Sequence, residues 1–365
     1  MYRFRLDFMK YLRAKGFQII VLAPETENEW KDKFKEHEIE YRHVDMSKNS
    51  ANPFDDIHSY FAIKKQLKQL KPDAVICDHA KMIVYGTLAA KACHVNSRFV
   101  IMGGVGSVLR DSAQTLKRKI IQKVLKMEYR MSVPRADKVF FQNPDDAALF
   151  RKLKFIKEGQ AVMVPGSGIN LKEFPDTSMP KNHEFLFVGR LIRDKGLMEY
   201  MEAGRIVRKT VPDAHFHVIG YFDQNQTMLQ MEDLQPYIDD GTVIYHGFQK
   251  NVLPFLQESF AFALPSYHEG TPHSTLEAMA VGRPVITTDA PGCRETVVDG
   301  ENGYLVPVKD TEKLAEAMLE LCKDREKAEQ MGKASRRMAG EKFDVQIVCN
   351  IQYETIQKVL NHETL

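Results

Sequence analysis

Two carboxylates eight positions apart, Glu269 and Glu277, punctuate the segment Pro265-Ser266-Tyr267-His268-Glu269-Gly270-Thr271-Pro272-His273-Ser274-Thr275-Leu276-Glu277-Ala278. An apolar strand-like run precedes it and a helical pattern follows, so Glu269 falls in a loop and Glu277 in the first helical turn. Gly270 allows a close backbone approach to a ligand, and the start of a helix offers free N–H groups to an anion. The same residues have a plainer reading. Ser274-x-x-Glu277 fits a capping box, in which the two side chains satisfy backbone donors reciprocally. A second segment, Phe187-Val188-Gly189-Arg190-Leu191-Ile192-Arg193-Asp194-Lys195-Gly196, ends a strand at Gly189 and flanks a tight loop with Arg190 and Lys195. Glycine for access, arginine for a fork and lysine for a point charge suit a diphosphate. A solvated turn carrying surface charges is the alternative.

The elements that must position these loops alternate along the whole chain. β-Branched and aromatic runs at 18–22, 74–77, 98–102, 138–142 and 161–164 are separated by amphipathic segments such as 53–70 and 113–131. The pattern restarts at 184–188, 215–219, 242–245, 260–264 and 284–287. Strands separated by helices imply parallel sheets of βαβ units. Two such series predict two doubly wound α/β domains, 1–170 and 171–342, around a loop-rich linker holding Pro165, Gly166, Gly168, Pro175 and Pro180. Ligands of such sheets bind beyond the carboxyl ends of the strands, which makes an interdomain cleft the expected site. The chain opens on a helical face, Phe4, Phe8, Tyr11 and Leu12, where a doubly wound domain begins with a central strand. The expectation is a chain that starts after that strand.

The 365 residues, 44% hydrophobic and 27% charged, exclude a disordered tail, a collagen-like fibre and a rod. The longest nearly apolar stretch, 99–109, is far below the ~20 residues of a membrane-spanning helix. No signal-peptide pattern is present, so the expected compartment is the cytoplasm. Five cysteines without a C-x-x-C pair argue against a disulfide framework or a structural zinc. Net charge is +2, but residues 1–170 carry +11 and 171–365 carry −9. The two halves are expected to face different partners.

Together the two loops resemble the family-4 retaining glycosyltransferases of the GT-B fold, with two Rossmann-like domains. The resemblance is strongest from Leu264 to Val306, through Gly282-Arg283-Pro284 and Glu295-x-x-x-x-Gly300-x-Asn302-Gly303, and it extends over essentially the whole chain. It implies a hexosyl- or N-acetylhexosaminyltransferase using a nucleotide sugar, UDP-linked by likeness to surface-polysaccharide enzymes. Position by position, it assigns Arg190 and Lys195, beside Gly189, to the donor diphosphate and Glu269 to the donor sugar. Gly270, Thr271, Pro272, Ser274 and Leu276 shape the donor loop. Glu277 meets the ribose hydroxyls, and Gly247 and Phe248 meet the nucleobase through their backbone. It also implies retention of anomeric configuration, no cofactor and no essential metal, and the sequence has no Asp-x-Asp motif.

The same resemblance gives the first domain to the acceptor, expected to be a polyprenyl-diphosphate-linked saccharide used in capsule, O-antigen or glycan assembly. A helix near 343–362 is expected to pack back onto that domain. The segment 113–131 sets Lys117, Arg118, Lys119, Lys123, Lys126 and Arg130 against one acid, Glu128, with Leu116, Ile120, Ile121, Val124 and Leu125 on an apolar side. That fits peripheral contact with an anionic membrane, and it also fits a core-facing helix with a solvated basic face. Nucleic acid is not expected, because no binding motif accompanies the charge. Gly103 and Gly104 in a glycine-rich turn, and His79 and Lys81 at a strand end, are acceptor-side candidates. Three alternatives remain. One is a soluble transferase acting on a sugar phosphate, and another is a nucleotide-sugar-binding protein impaired by its missing strand. A nicotinamide dehydrogenase would need a G-x-G-x-x-G after a strand, and none is present.

Overall fold

Phe185, Leu186 and Phe187 are all buried, as are all four residues from Ala261 to Leu264. Strands apolar on both faces belong in the middle of a parallel sheet covered by helices on each side. In the computed structural model, which describes residues 2–47, 52–110, 115–222 and 229–363, that is where they lie. The chain divides into two units, 1–164 with 346–365, and 165–345.

The second unit holds six parallel strands: β7 (Glu184–Val188), β8 (His215–Ile219), β9 (Val243–Tyr245), β10 (Ala261–Leu264), β11 (Val285–Thr288) and β12 (Gly303–Val306). Their spatial order is β12-β11-β10-β7-β8-β9. This is the doubly wound order, with its topological switch point between β7 and β10. Phe185 stacks on Phe216 at 5.1 Å and meets Phe260 edge-on, which fixes β7 between its neighbours. Tyr200 is buried against the same strand and donates its hydroxyl to the Phe185 carbonyl (2.9 Å).

Arg283, within the sequence motif Gly282-Arg283-Pro284, is fully buried. Its guanidinium donates to the carbonyls of Thr177 (2.9 Å), Ser178 (3.2 Å), Leu256 (3.1 Å) and Gln257 (2.7 Å), and to the Thr177 hydroxyl (2.7 Å). Burial pulls it down to about 10, which still leaves it charged at neutral pH. It ties the start of the unit to the segment between β9 and β10. Arg283→Met strands several buried carbonyls. The expected loss is about 3 kcal/mol or more of second-unit stability, read as a lower urea midpoint.

The first unit contains β1 (Ile20–Ala23), β2 (Glu40–His43), β3 (Ala74–Asp78), β4 (Ser97–Met102), β5 (Lys138–Phe141) and β6 (Ala161–Met163), all in parallel pairs. They form two sheets, β1-β2 and β3-β4-β5-β6, with no ladder joining them among the described residues. Helix Pro53–Leu70 has the bounds read from its pattern. Asn52 caps it by accepting from Phe54 N (3.2 Å), Pro53 opens it, and left-handed Lys71 closes it. From Gln346 onward, helix Val345–Leu360 belongs to this unit. There Asn350 accepts from the Tyr11 hydroxyl (3.0 Å), and Tyr353 packs edge-on against Tyr11. All five cysteines are free.

Candidate active site

The two loops singled out by their residue types follow the two strands at the switch point. After β7 come Gly189 and Arg190, a short turn Arg193–Lys195, and helix Leu197–Arg208. Gly196 has φ +71°, and a Cβ there would stand 2.1 Å from the Pro265 carbonyl oxygen. The cation loop is therefore pressed onto the end of β10, which an L side chain would prevent. The Tyr267 N–H donates to the Asp194 carbonyl (2.9 Å), and the Lys195 ammonium donates to Glu269 Oε1. Both side chains of that pair are mostly buried. Two charges 74 residues apart in the chain thus meet in one site.

The carboxylate loop is held from below by β11. Thr287 donates its hydroxyl to the Leu264 carbonyl (2.7 Å), and Thr288 donates to the Ser266 carbonyl. Glu269 N–H donates to the Pro291 carbonyl (2.9 Å). Gly292 (φ +80°) lies so close that a Cβ would be 2.1 Å from the Glu269 oxygen and 2.4 Å from that of Gly270. Beneath the loop, burial and then the negative Glu269 push the Cys293 thiol up to about 12, so it stays protonated and serves as packing. Gly166 (φ +72°) packs against Thr271, where a Cβ would meet the threonine side chain at 3.0 Å.

Helix His273–Ala280 corrects one expectation. Its N-cap is Pro272, with no side-chain cap bond. Ser274 is the second helical residue, and Glu277 lies beyond the first turn, so the capping-box reading fails. Proline supplies no hydroxyl, and the extended backbone it favours moves the helix start one residue before Ser274. Glu277 is 2% exposed and lies with its Oε1 3.1 Å from His273 Nδ1. Leu276 is buried in the core of the unit. Gly247 (φ +67°) follows β9 by two residues, and exposed Phe248 comes next.

Of the acceptor-side candidates, His79 and Lys81 follow β3, and Gly103 and Gly104 follow the adjacent β4. His79 is exposed and holds a left-handed backbone (φ +70°), uncommon for a residue with a Cβ. Its N–H donates to Asp78 Oδ1 (2.8 Å). Burial raises the Asp78 carboxyl, but Arg5, 2.8 Å away, and His79 outweigh it and hold it below the usual range. Lys81 donates to Asp56 Oδ1 (2.8 Å). A π-helical turn, Met82–Gly86, follows. Such turns recur at functional sites.

Helix Leu116–Ser132 begins at its cap Thr115, and Ala113 and Gln114 of the expected 113–131 segment lie outside the described residues. Leu116, Ile120, Ile121 and Val124 are exposed, as are Met127 and Met131, and only Leu125 of the expected apolar side packs on the core. The helix is therefore not core-facing along that side. Its one acid is turned inward, where Glu128 Oε1 accepts from the Tyr85 hydroxyl (2.6 Å).

Reasoning from the sequence assigned no site role to Gly166, Gly292, Thr287, Thr288 or His273. Glycines at these turns have a signal only once their φ is known, and strand-end threonines have none. A cavity of about 750 Å³, lined by Lys181, Glu184, His215, His217 and Glu258 among others, opens at the amino ends of β7 and β8, away from both loops.

Residues 171–338 match the family model described as glycosyl transferases group 1, and residues 2–143 match that described as glycosyl transferase 4-like. Among curated proteins, the chain is 28% identical over 88% of its length, and 86% of the relative's, to N,N'-diacetylbacillosaminyl-diphospho-undecaprenol alpha-1,3-N-acetylgalactosaminyltransferase of Campylobacter jejuni. Among solved structures, sucrose-phosphate synthase from Thermosynechococcus elongatus superposes with a TM-score of 0.82 at 19% identity, covering 98% of this chain and 92% of that one. Anabaena HepE in complex with UDP-glucose superposes at 0.77 and 16%, covering 97% and 95%.

Proposed function

The chain belongs to the group 1 glycosyltransferases, and on that premise we propose that it transfers a hexose or N-acetylhexosamine from a UDP-sugar to a polyprenyl-diphosphate-linked saccharide, with retention and without a metal ion. The observation that carries the donor half is the meeting of the cation loop and the carboxylate loop at the β7/β10 switch point. Arg190 and Lys195 hold the diphosphate, Glu269 the sugar hydroxyls and Glu277 the ribose.

Breaking the anomeric C–O bond leaves positive charge on the sugar and negative charge on the diphosphate. Cations already fixed in place stabilise the latter without reorganising. The Lys195–Glu269 pair sets both side chains before the donor arrives, and the incoming phosphate then shares the ammonium. The acceptor hydroxyl attacks the face from which the diphosphate departs, and a phosphate oxygen takes its proton. UDP as carrier is supported by the UDP-glucose complex of the HepE neighbour, and a lipid diphosphate acceptor by the name of the Campylobacter relative.

The exposed apolar face of Leu116–Ser132, with lysines and arginines interleaved, supports docking on an anionic leaflet, where apolar burial and charge attraction add. Phe54, Ile57 and Phe61 are also exposed, on helix Pro53–Leu70, and both helices pack on the π-helical turn Met82–Gly86. Among the described residues no helix is long and apolar enough to cross a membrane.

The test supplies radiolabelled UDP-sugars in EDTA together with a polyprenyl-diphosphate saccharide in detergent or a hexose phosphate in buffer. Label should enter the organic phase with an α-linkage by NMR. Label found only in the sugar phosphate would overturn the lipid acceptor, and transfer abolished by EDTA would overturn metal independence.

A further inference from the structure

We propose that Glu184, His217 and His246 form a hydrogen-bonded chain of positioning residues that holds the Gly247 turn in place for the donor nucleotide and releases it in acid; this rests on the donor reading above. The three side chains cross neighbouring strands on one face of the second-unit sheet. Glu184 opens β7, His217 lies midway along β8, and His246 is the first residue past β9. Glu184 Oε2 accepts from His217 Nε2 (2.7 Å), and His217 Nδ1 lies 2.8 Å from His246 Nε2. The two imidazoles also stack, with centroids 5.1 Å apart at 15°. The carboxylate and the first imidazole are mostly buried, so solvent screens the chain little.

The last link bears on the Gly247 turn. His246 immediately precedes that glycine, whose φ of +67° makes the bend. His246 N–H donates to the Val218 carbonyl (3.0 Å), and the Gly247 carbonyl accepts from Gly220 N–H (3.0 Å). The His246 carbonyl accepts from Gln249 Nε2 (2.7 Å). The His246 ring also packs on Phe255, with centroids 4.8 Å apart. A ring held on two sides, one residue from the bend, passes any displacement to it.

Two facing ring nitrogens at 2.8 Å hold one proton between them. A second proton sets N–H against N–H and ends the contact. Burial first, and then the charge on His217, hold His246 below the ordinary imidazole range. The contact therefore stands at neutral pH and is lost as pH falls through that lowered value. The cavity that His217 lines admits the proton from solvent. Its other charged or titratable groups are Lys181 ahead of β7, Glu258 at the end of helix Leu253–Glu258, and His215 on β8. His215 joins the chain through Glu184, its Nδ1 lying 3.2 Å from Oε1.

The test is titration calorimetry of the full chain with UDP-glucose and with inorganic pyrophosphate, between about pH 7.5 and about pH 5, the range in which imidazoles titrate. UDP-glucose has no phosphate group that titrates there. Wild type should lose UDP-glucose affinity about fivefold on acidification, the worth of roughly one hydrogen bond. His217→Phe keeps a stacking ring without its nitrogens. It should bind UDP-glucose about fivefold more weakly at neutral pH, lose little more in acid, and bind pyrophosphate as wild type does. An acid loss that is absent from wild type, or that persists in full in His217→Phe, would overturn the chain's role and leave the donor reading standing. Equal losses of UDP-glucose and pyrophosphate in that variant would also overturn it, since they report a damaged domain. A wild-type chain that binds none of UDP-, GDP- and ADP-glucose would overturn the donor reading, and the chain's role with it.

Discussion

Lys195→Ala should cut turnover at saturating donor about a thousandfold. Removing a single fixed donor to a developing anion costs about 10²- to 10³-fold in other acyl- and group-transfer sites. Two features push this site to the upper end. The ammonium is mostly buried, so solvent screens it little. Its loss also takes one positive charge away from beside the Glu269 carboxylate, so less charge offsets the approach of a diphosphate. Lys195→Arg should recover part of the rate, because the charge returns while its planar fork replaces a compact point charge. Initial rates across donor concentrations separate the effects. The mechanism predicts that kcat falls more than KM rises, since the charge on the diphosphate grows on the way to the transition state. A loss below about fivefold, carried wholly in KM, would remove Lys195 from the chemistry.

Gly292→Ala should lower kcat/KM about a hundredfold although the residue touches no substrate. Its backbone sits in the left-handed region, and the new methyl would collide with two carbonyl oxygens, those of Glu269 and Gly270. Backbone oxygens cannot rotate away as a side-chain tip would, so the carboxylate loop has to move. A displacement of about 1 Å at a reacting centre can cost on the order of 100-fold. Gly300 is the matched control. It has φ +78°, and a Cβ there would meet nothing within 4 Å. Gly300→Ala bears only the conformational cost, roughly 1 kcal/mol of stability, and should keep wild-type kinetics. Equal activity in the two variants would show that contact with Gly292 does not set the loop.

Most of the strands were legible because buried parallel strands are runs of apolar residues, and 184–188 and 215–219 match their bounds. β2 was missed because Glu-Tyr-Arg-His at the edge of a two-stranded sheet buries one residue in four. β12 was missed because it opens on Gly303, whose tight approach to Val285 is a packing fact. The unit boundary read at 170/171 falls at 164/165, since the Gly166–Gly168 turn already packs against Thr271 and Val345 of the second unit. The residue types of both loops could be read from the sequence, and the resemblance put both on one donor, but the direct contact between them could not be read. Nothing local records that Gly196 lets β7's loop touch Pro265, or that Lys195 then reaches Glu269. The amphipathic face of Leu116–Ser132 was legible as a pattern, while its exposure depended on which helices cover the sheet.

Hydrogen–deuterium exchange of the full chain, with and without a UDP-sugar in EDTA, tests the central claim most directly. The account predicts slowed exchange in peptides covering 189–196, 246–248 and 265–277, with the amino ends of β7 and β8 unchanged. Protection confined to the cavity around Glu184 and His215, or to the strand ends of the first unit, would contradict a donor site at the β7/β10 switch point.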